Sequence, residues 1–202
     1  PFRVLFAGNM GRYQRLELLV DAATILRNRA DIQFVFLGSG ARMERLRNQA
    51  GALLEQTVYF VPQQSVEVAF ACMQRSDLGV VSLAEKIARV SYPSKAMTYL
   101  EAGCRVLAIC EQESSLWADI VGAGFGLGPE RLDAESLAQA IDRASRGRLA
   151  EPTTLRQMVR VKSRKQFGKD QAILKWLGLL DSIQLRGSQA TTSHGTYERK
   201  CA

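Results

Sequence analysis

Five short apolar runs constrain this chain more than any other feature. Phe2–Ala7 (FRVLFA), Gln33–Leu37 (QFVFL), Val58–Val61 (VYFV), Leu78–Leu83 (LGVVSL) and Arg105–Ile109 (RVLAI) are rich in Val, Ile, Leu and Phe and do not alternate with polar residues. A strand with one wet face alternates; a run apolar throughout is covered on both faces, as parallel strands are. Helical spacing fills the gaps, at Leu16–Arg29, Ala41–Leu54, Ser65–Arg75 and Ser94–Ala102, with two more helices at Ser114–Val121 and Ala134–Arg146. In the first, Leu18, Leu19, Ala22, Ala23, Ile25 and Leu26 form one broad apolar face. Strands alternating with helices predict an α/β fold, a doubly wound parallel sheet with its ligands at the carboxyl ends of the strands. There is no internal repeat.

Charge divides the chain. Residues 1–150 hold 17 Lys/Arg against 16 Asp/Glu, and residues 151–202 hold 10 against 4, so the net +7 of the 202-residue chain lies mostly in its last quarter. A nearly neutral body argues against nucleic acid as its ligand, since such domains carry a basic face. The reading is therefore a sheet domain over 1–150, basic helices over 151–185 and a disordered polar tail over 186–202. No apolar run approaches the ~20 residues that span a bilayer. The four cysteines form no CxxC pair and His194 is the sole histidine. A zinc site or Cys–His nucleophile is thus without support, and a reducing, cytoplasmic setting is expected. The chain starts inside a strand without an initiator Met, so it is expected to be part of a longer polypeptide.

Three loops carry the candidate chemistry. After the first strand comes AGNMGRYQR, in which Gly8 and Gly11 permit close backbone approach and Arg12 and Arg15 offer charged donors. The helix that follows would point free N–H groups and the positive end of its dipole at an anion. The spacing is neither GxGxxG nor a P-loop. After the second strand comes FLGSGARMERL with Gly38 and Gly40, on the same sheet edge. A plain strand–helix turn remains the alternative for either loop. The third segment, RVSYPSKAMTYLEAGCRVLAI, has Pro93 favouring an extended Tyr92, Ser94 as N-cap and Lys95 beside the helix start, a second anion site by the same physics.

Taken together, the segments FAGNMGRYQRLELLVDAA, FVFLGSGARMERL, VYFVPQQSVEVAFACMQRSDLGVVSL and VSYPSKAMTYLEAGCRVLA resemble the C-terminal domain of group 1 (family 4) glycosyltransferases of the GT-B fold. Within that family they resemble the bacterial surface-polysaccharide branch of fucosyl- and N-acetylfucosaminyltransferases. The resemblance covers about residues 2–180. It implies binding of a nucleotide-sugar donor, UDP- or GDP-linked, by this half, with an N-terminal acceptor domain elsewhere. It further implies hexose transfer with retention, no cofactor and no metal, and a polysaccharide or lipid-linked acceptor.

By the same resemblance Gly8, Asn9, Gly11, Arg12 and Arg15 meet the donor phosphates, as do Ser91, Tyr92, Pro93, Ser94 and Lys95. Gly38, Gly40, Val61 and Pro62 line the base pocket, and Thr98 reaches the ribose. The chain departs from the family twice. Gln14–Arg15 stands where many members have Lys–Gly, and Val90 and Thr98 stand where many have two glutamates. Glu85, Lys86 and Arg89 form a loop facing the same edge. The last helices, Arg156 to Lys175 with Trp176, would cross toward the absent domain or rest on anionic lipid at the inner face of the plasma membrane. A non-catalytic nucleotide-binding remnant and a nucleotide-sugar epimerase are the rival readings.

Overall fold

The computed structural model describes residues 1–84, 93–147 and 152–192, with side chains of the last segment described for 154–183. Six strands form one parallel sheet: β1 Phe2–Ala7, β2 Ile32–Leu37, β3 Val58–Val61, β4 Leu78–Ser82, β5 Arg105–Ile109 and β6 Gly126–Leu127. Their order is β3-β2-β1-β4-β5-β6. The chain therefore winds outward from β1 in both directions, and the switch point lies between β1 and β4, where α/β sheets open a ligand crevice.

The helices are α1 Glu17–Ile25, α2 Met43–Ala50, α3 Val66–Gln74, α4 Ser94–Glu101, the one-turn α5 Ser115–Trp117, α6 Ala134–Arg146, α7 Pro152–Phe167 and α8 Lys169–Thr192. One face of the sheet packs on α1, α2 and α6. There Val4, Phe6, Phe34, Phe36 and Val80 meet Leu19, Leu46, Leu137 and Ile141, all fully buried. At about 1.5–3 kcal/mol per buried large apolar side chain this core supplies most of the fold's driving force. Arg29, just beyond α1, pairs with Asp142 of α6 and with Asp31 at 2.9 Å. Alternation along β1 turns Leu5 and Ala7 to the other face, where α3 and α4 pack.

Several elements differ from the sequence reading, each for a local reason. The first helix starts within a residue of its expected start, after Arg15 takes a left-handed conformation (φ 42) following a 3-10 turn, Arg12–Gln14, but ends at Ile25, short of Arg29. The second ends at Ala50 because Gly51 (φ 50) breaks it. Ser114 caps a single turn, accepting from Trp117 N–H at 3.2 Å, and the chain then widens into a π turn, Ala118–Gly122. β6, two residues long and half glycine, carried no strand signal.

Two compact units cover the chain, Pro1–Val161 and Lys162–Ala202. The first includes the start of α7, which docks on it. Arg160 donates to Glu101 O (2.9 Å) and Ala102 O (3.2 Å), the carbonyls that end α4. Arg156 lies 3.8 Å from Asp77. A cation on terminal helix carbonyls satisfies their lone pairs and matches the dipole. In the second unit α8 runs to Thr192, past residue 186, where the polar tail was expected; 193–202 lie outside the described residues. Leu174, Trp176, Leu177, Leu179 and Leu180 of α8 are exposed. Among the described residues no helix is long and apolar enough to cross a membrane.

Candidate functional site

The first two glycine loops are stitched to each other by backbone hydrogen bonds. Gly8 N–H donates to Leu37 O (2.8 Å), Met10 N–H to Ser39 O (2.7 Å) and Arg42 N–H back to Met10 O (3.0 Å). Met10, wholly buried, anchors the first loop in the core. The glycines of the second loop serve this contact. A Cβ built on Gly38 (φ 136) would overlap Gly8 O, and one on Gly40 would lie 2.5 Å from Met10 N and O. Gly38 N–H also donates to Val61 O (2.9 Å). Gly8 faces elsewhere. A Cβ there (φ 138) would overlap Lys95 Nζ.

Lys95 enters from α4. Its Nζ lies 5.0 Å from the centroid of the Phe6 ring, a cation–π contact at the end of β1. Burial lowers its pKa, because the ammonium has lost water without gaining an anion among the described residues. The start of α4 points the positive end of its dipole at the same edge. Pro93, not Ser94, is the N-cap; Ser94 is the first helical residue and its carbonyl accepts from Thr98 Oγ1 (3.3 Å). Pro93 fills that role because its ring holds φ at −75 in the extended backbone that enters the helix.

Beside Gly8 a cavity of about 350 Å³ opens between the ends of β1 and β2 and the helices α3 and α4. Gly8, Asn9, Gly38 and Thr98, all expected at the site, line it. Gly40, Val61 and Pro62 do not. Gly40 packs on Met10, Val61 O receives Gly38, and Pro62 O accepts from Gln64 Nε2 at 3.1 Å. The opposite wall was not anticipated: Gln63, Gln64, Val66, Phe70 and Met73. Val66, Phe70 and Met73 repeat at helical spacing, a stripe that reads as core, yet Val66 is 80% exposed. That exposure, invisible in sequence, separates a cavity wall from a core face.

Arg12 is exposed on the 3-10 turn after Gly11. The first amides of α1 are partly used: Leu18 N–H donates to Arg15 O (3.2 Å) and Leu19 N–H to Leu16 O (3.0 Å). Glu17 in that turn faces Arg42 and Arg45, each at 3.8 Å. The dipole of α1 therefore already has an anion, and the loop, not the helix, is left to meet a ligand. Tyr13 O accepts from Ala84 N–H (2.7 Å), tying the turn to the end of β4. Two buried polar atoms at this edge, Gln14 Oε1 and Ser82 Oγ, have no hydrogen-bond partner among the described residues. Ser91 and Tyr92, expected at the phosphates, lie outside the described residues, as do Glu85, Lys86, Arg89 and Val90. Among the described residues no group of three His, Cys, Asp or Glu could hold a metal ion. The thiol of Cys104 is pushed up to about 12 by burial and is chemically inert.

Residues 1–146 match the family model described as Glycosyl transferases group 1. A curated relative, "Probable glycosyltransferase WbjE" of Pseudomonas aeruginosa, is 31% identical over 142 residues, which is 68% of this chain and 34% of that protein. The chain spans about a third of the length of the curated relatives it matches. Among solved structures, Anabaena Alr3699/HepE in complex with UDP aligns with a TM-score of 0.71 and 16% identity, over 90% of this chain and 49% of that one. The C-terminal domain of the group 1 family protein LpcC from Francisella tularensis aligns at 0.60 and 16% identity, over 87% of this chain and 86% of its own.

Proposed function

The chain belongs to the group 1 glycosyltransferases, and from that premise we propose that it is the half that binds a nucleotide-sugar donor. The observation that carries the proposal is the meeting of Gly8 and Lys95 at the β1–β4 switch point, beside a cavity large enough for a nucleoside. Among the described residues Lys95 is desolvated without an anionic partner, and a diphosphate would supply one. The solved neighbour that holds UDP supports a nucleoside diphosphate as the ligand class.

On this reading the phosphates lie against Gly8, Asn9, Gly11, Arg12, Arg15 and the Pro93–Lys95 turn. The nucleoside enters the cavity between Gly38 and α3, with Thr98 at the ribose. The bond between sugar and diphosphate breaks with negative charge building on the leaving phosphate. Fixed cations and helix dipoles lower the barrier when they are stronger toward that charge than toward the ground state. Lys95, Arg12 and the α4 dipole fill that role without a metal.

The finer proposals rest on the sequence resemblance. The sugar is a hexose, with fucose or N-acetylfucosamine the nearest class. Transfer retains configuration, and the acceptor is a polysaccharide or lipid-linked sugar. An N-terminal half supplies the acceptor site, so this chain alone binds donor but turns over little. The exposed apolar side chains of α8 contact that half. Lys162, Lys165, Lys169 and Lys175 suit an anionic membrane at the cytoplasmic face.

Calorimetric titration of the chain with UDP and GDP tests the proposal. Saturable binding of one of them, weakened in Arg12→Ala and in Lys95→Ala, is the expected result. Binding of neither at millimolar ligand would overturn it.

A further inference from the structure

Tyr99 lies one helical turn after Lys95, on the same face of α4, and is wholly buried. Its hydroxyl donates to Leu5 O (3.1 Å) and accepts from Ala7 N–H (2.9 Å). Both are main-chain groups on the edge of β1 that faces β4. On the opposite edge β1 stays paired with β2 to the end, Ala7 against Leu37. On this edge the β4 ladder covers only Val4–Leu78 and Leu5–Gly79. Beyond it the two strands part, and at Ala7 the phenol supplies the partner that β4 no longer does, while it adds a donor to Leu5 O at the ladder's last pair. Gly79 of β4 makes room: a Cβ there would overlap the Tyr99 ring. The switch-point crevice is thus held open by a side chain satisfied on both sides, as buried main-chain groups require.

We propose that Tyr99 is a positioning residue: it bolts α4 to β1 where the β1–β4 ladder ends, and so holds Lys95 over Phe6 and beside Gly8. The geometric statement needs no ligand; its consequence for binding rests on the donor-site reading above. Tyr99→Phe keeps the ring in its slot and removes the bolt. Ala7 N–H then loses its partner and Leu5 O loses one donor, and the helix face carrying Lys95 is free to shift.

The test uses the full 202-residue chain. Its lysines are carbon-13 dimethylated and the Lys95 signal is assigned by its loss in Lys95→Ala. In the wild type that signal is displaced by the Phe6 ring current and titrates below the surface lysines. In Tyr99→Phe it joins them. A wild-type Lys95 signal already among the surface lysines, or one that Tyr99→Phe leaves in place, would overturn the proposal.

Titration with UDP and uridine adds the second arm. Tyr99→Phe lowers UDP affinity about tenfold, the scale of one hydrogen bond to a charged group. It leaves uridine unchanged, and adds less than about twofold in the Lys95→Ala background, because the two changes remove one interaction. An equal loss in both backgrounds would show that Tyr99 acts on the fold in general, against the proposal. A Lys95 signal that moves as expected in a chain that binds no UDP would uphold the positioning role and sink the donor-site reading.

Discussion

The two glycine loops carry the same sequence signal and do different work. Gly38 and Gly40 are glycines because another backbone, the Gly8–Met10 segment, lies where their side chains would be. Gly8 is a glycine because a lysine's ammonium lies there. The first case is a joint between loops. The second is a gap facing the charged end of a side chain, the arrangement proposed for a phosphate cradle. A glycine-rich turn thus becomes a candidate binding element according to what stands opposite its missing Cβ.

The comparison can be broken by substitution. Gly38→Ala should have the largest effect. Its Cβ has no escape from Gly8 O and its φ of 136 is strained for any L side chain. A loss of more than about 3 kcal/mol in urea denaturation is expected, in the range of overpacking and backbone strain combined. Gly8→Ala, at nearly the same φ, meets only the end of a flexible side chain. It should cost about 1–3 kcal/mol of backbone strain and remove nucleoside diphosphate binding by displacing Lys95. Equal losses at the two sites would erase the distinction between them.

Lys95→Met sharpens the same contrast from the ligand side. Affinity for UDP should fall about 10- to 100-fold, one hydrogen bond to a charged group, while stability at neutral pH holds or rises slightly. The sign follows from burial. The folded-state pKa of Lys95 is lowered, so the unfolded chain binds its proton more tightly. The penalty is present at neutral pH and is relieved as pH rises through the folded-state pKa toward the ordinary lysine value. For the same reason a bound diphosphate raises that pKa. UDP binding at alkaline pH should take up protons in the wild type and not in Lys95→Met, read by calorimetry in buffers of different ionisation heat.

The smallest effect is expected at Arg15→Gly. The position is left-handed, and the resemblance places a glycine there. Strain of about 1 kcal/mol is relieved, a similar amount of unfolded-chain entropy is gained, and net stability should change by less than about 1 kcal/mol. A drop in UDP affinity without a drop in melting temperature would show that the arginine is kept for its charge.

Much of the fold was legible because its strands are apolar throughout. β1, β3 and β5 stand where their runs predict, and the helices between them follow. What was not legible depended on partners distant in sequence. Tyr99 bonds main-chain atoms 92 and 94 residues away, and nothing in MTYLEAG distinguishes it from an ordinary core tyrosine. The α3 wall of the cavity was not legible because periodicity gives a face and not what the face meets. The end of α1 was misplaced because apolar spacing continues through Ile25 and Leu26, whereas the helix stops at Ile25 with Leu26 as its C-cap. That Gly8, Asn9, Lys95 and Thr98 lie at one end of the sheet was legible because loops after parallel strands share one edge. Gly40, Val61 and Pro62 could not be separated from them until the loops were seen to interlock.

The central claim is that Gly8 and Lys95 form one anion site at the β1–β4 switch point. Its most direct test is amide and lysine NMR mapping of the chain with inorganic pyrophosphate, a probe without base or sugar. The account predicts saturable shifts at Gly8, Asn9, Gly11 and Lys95, abolished by Lys95→Met. Shifts that fall instead on Arg105 and Arg143 or on the lysines of α7 and α8, with Gly8 and Lys95 unmoved, would contradict it.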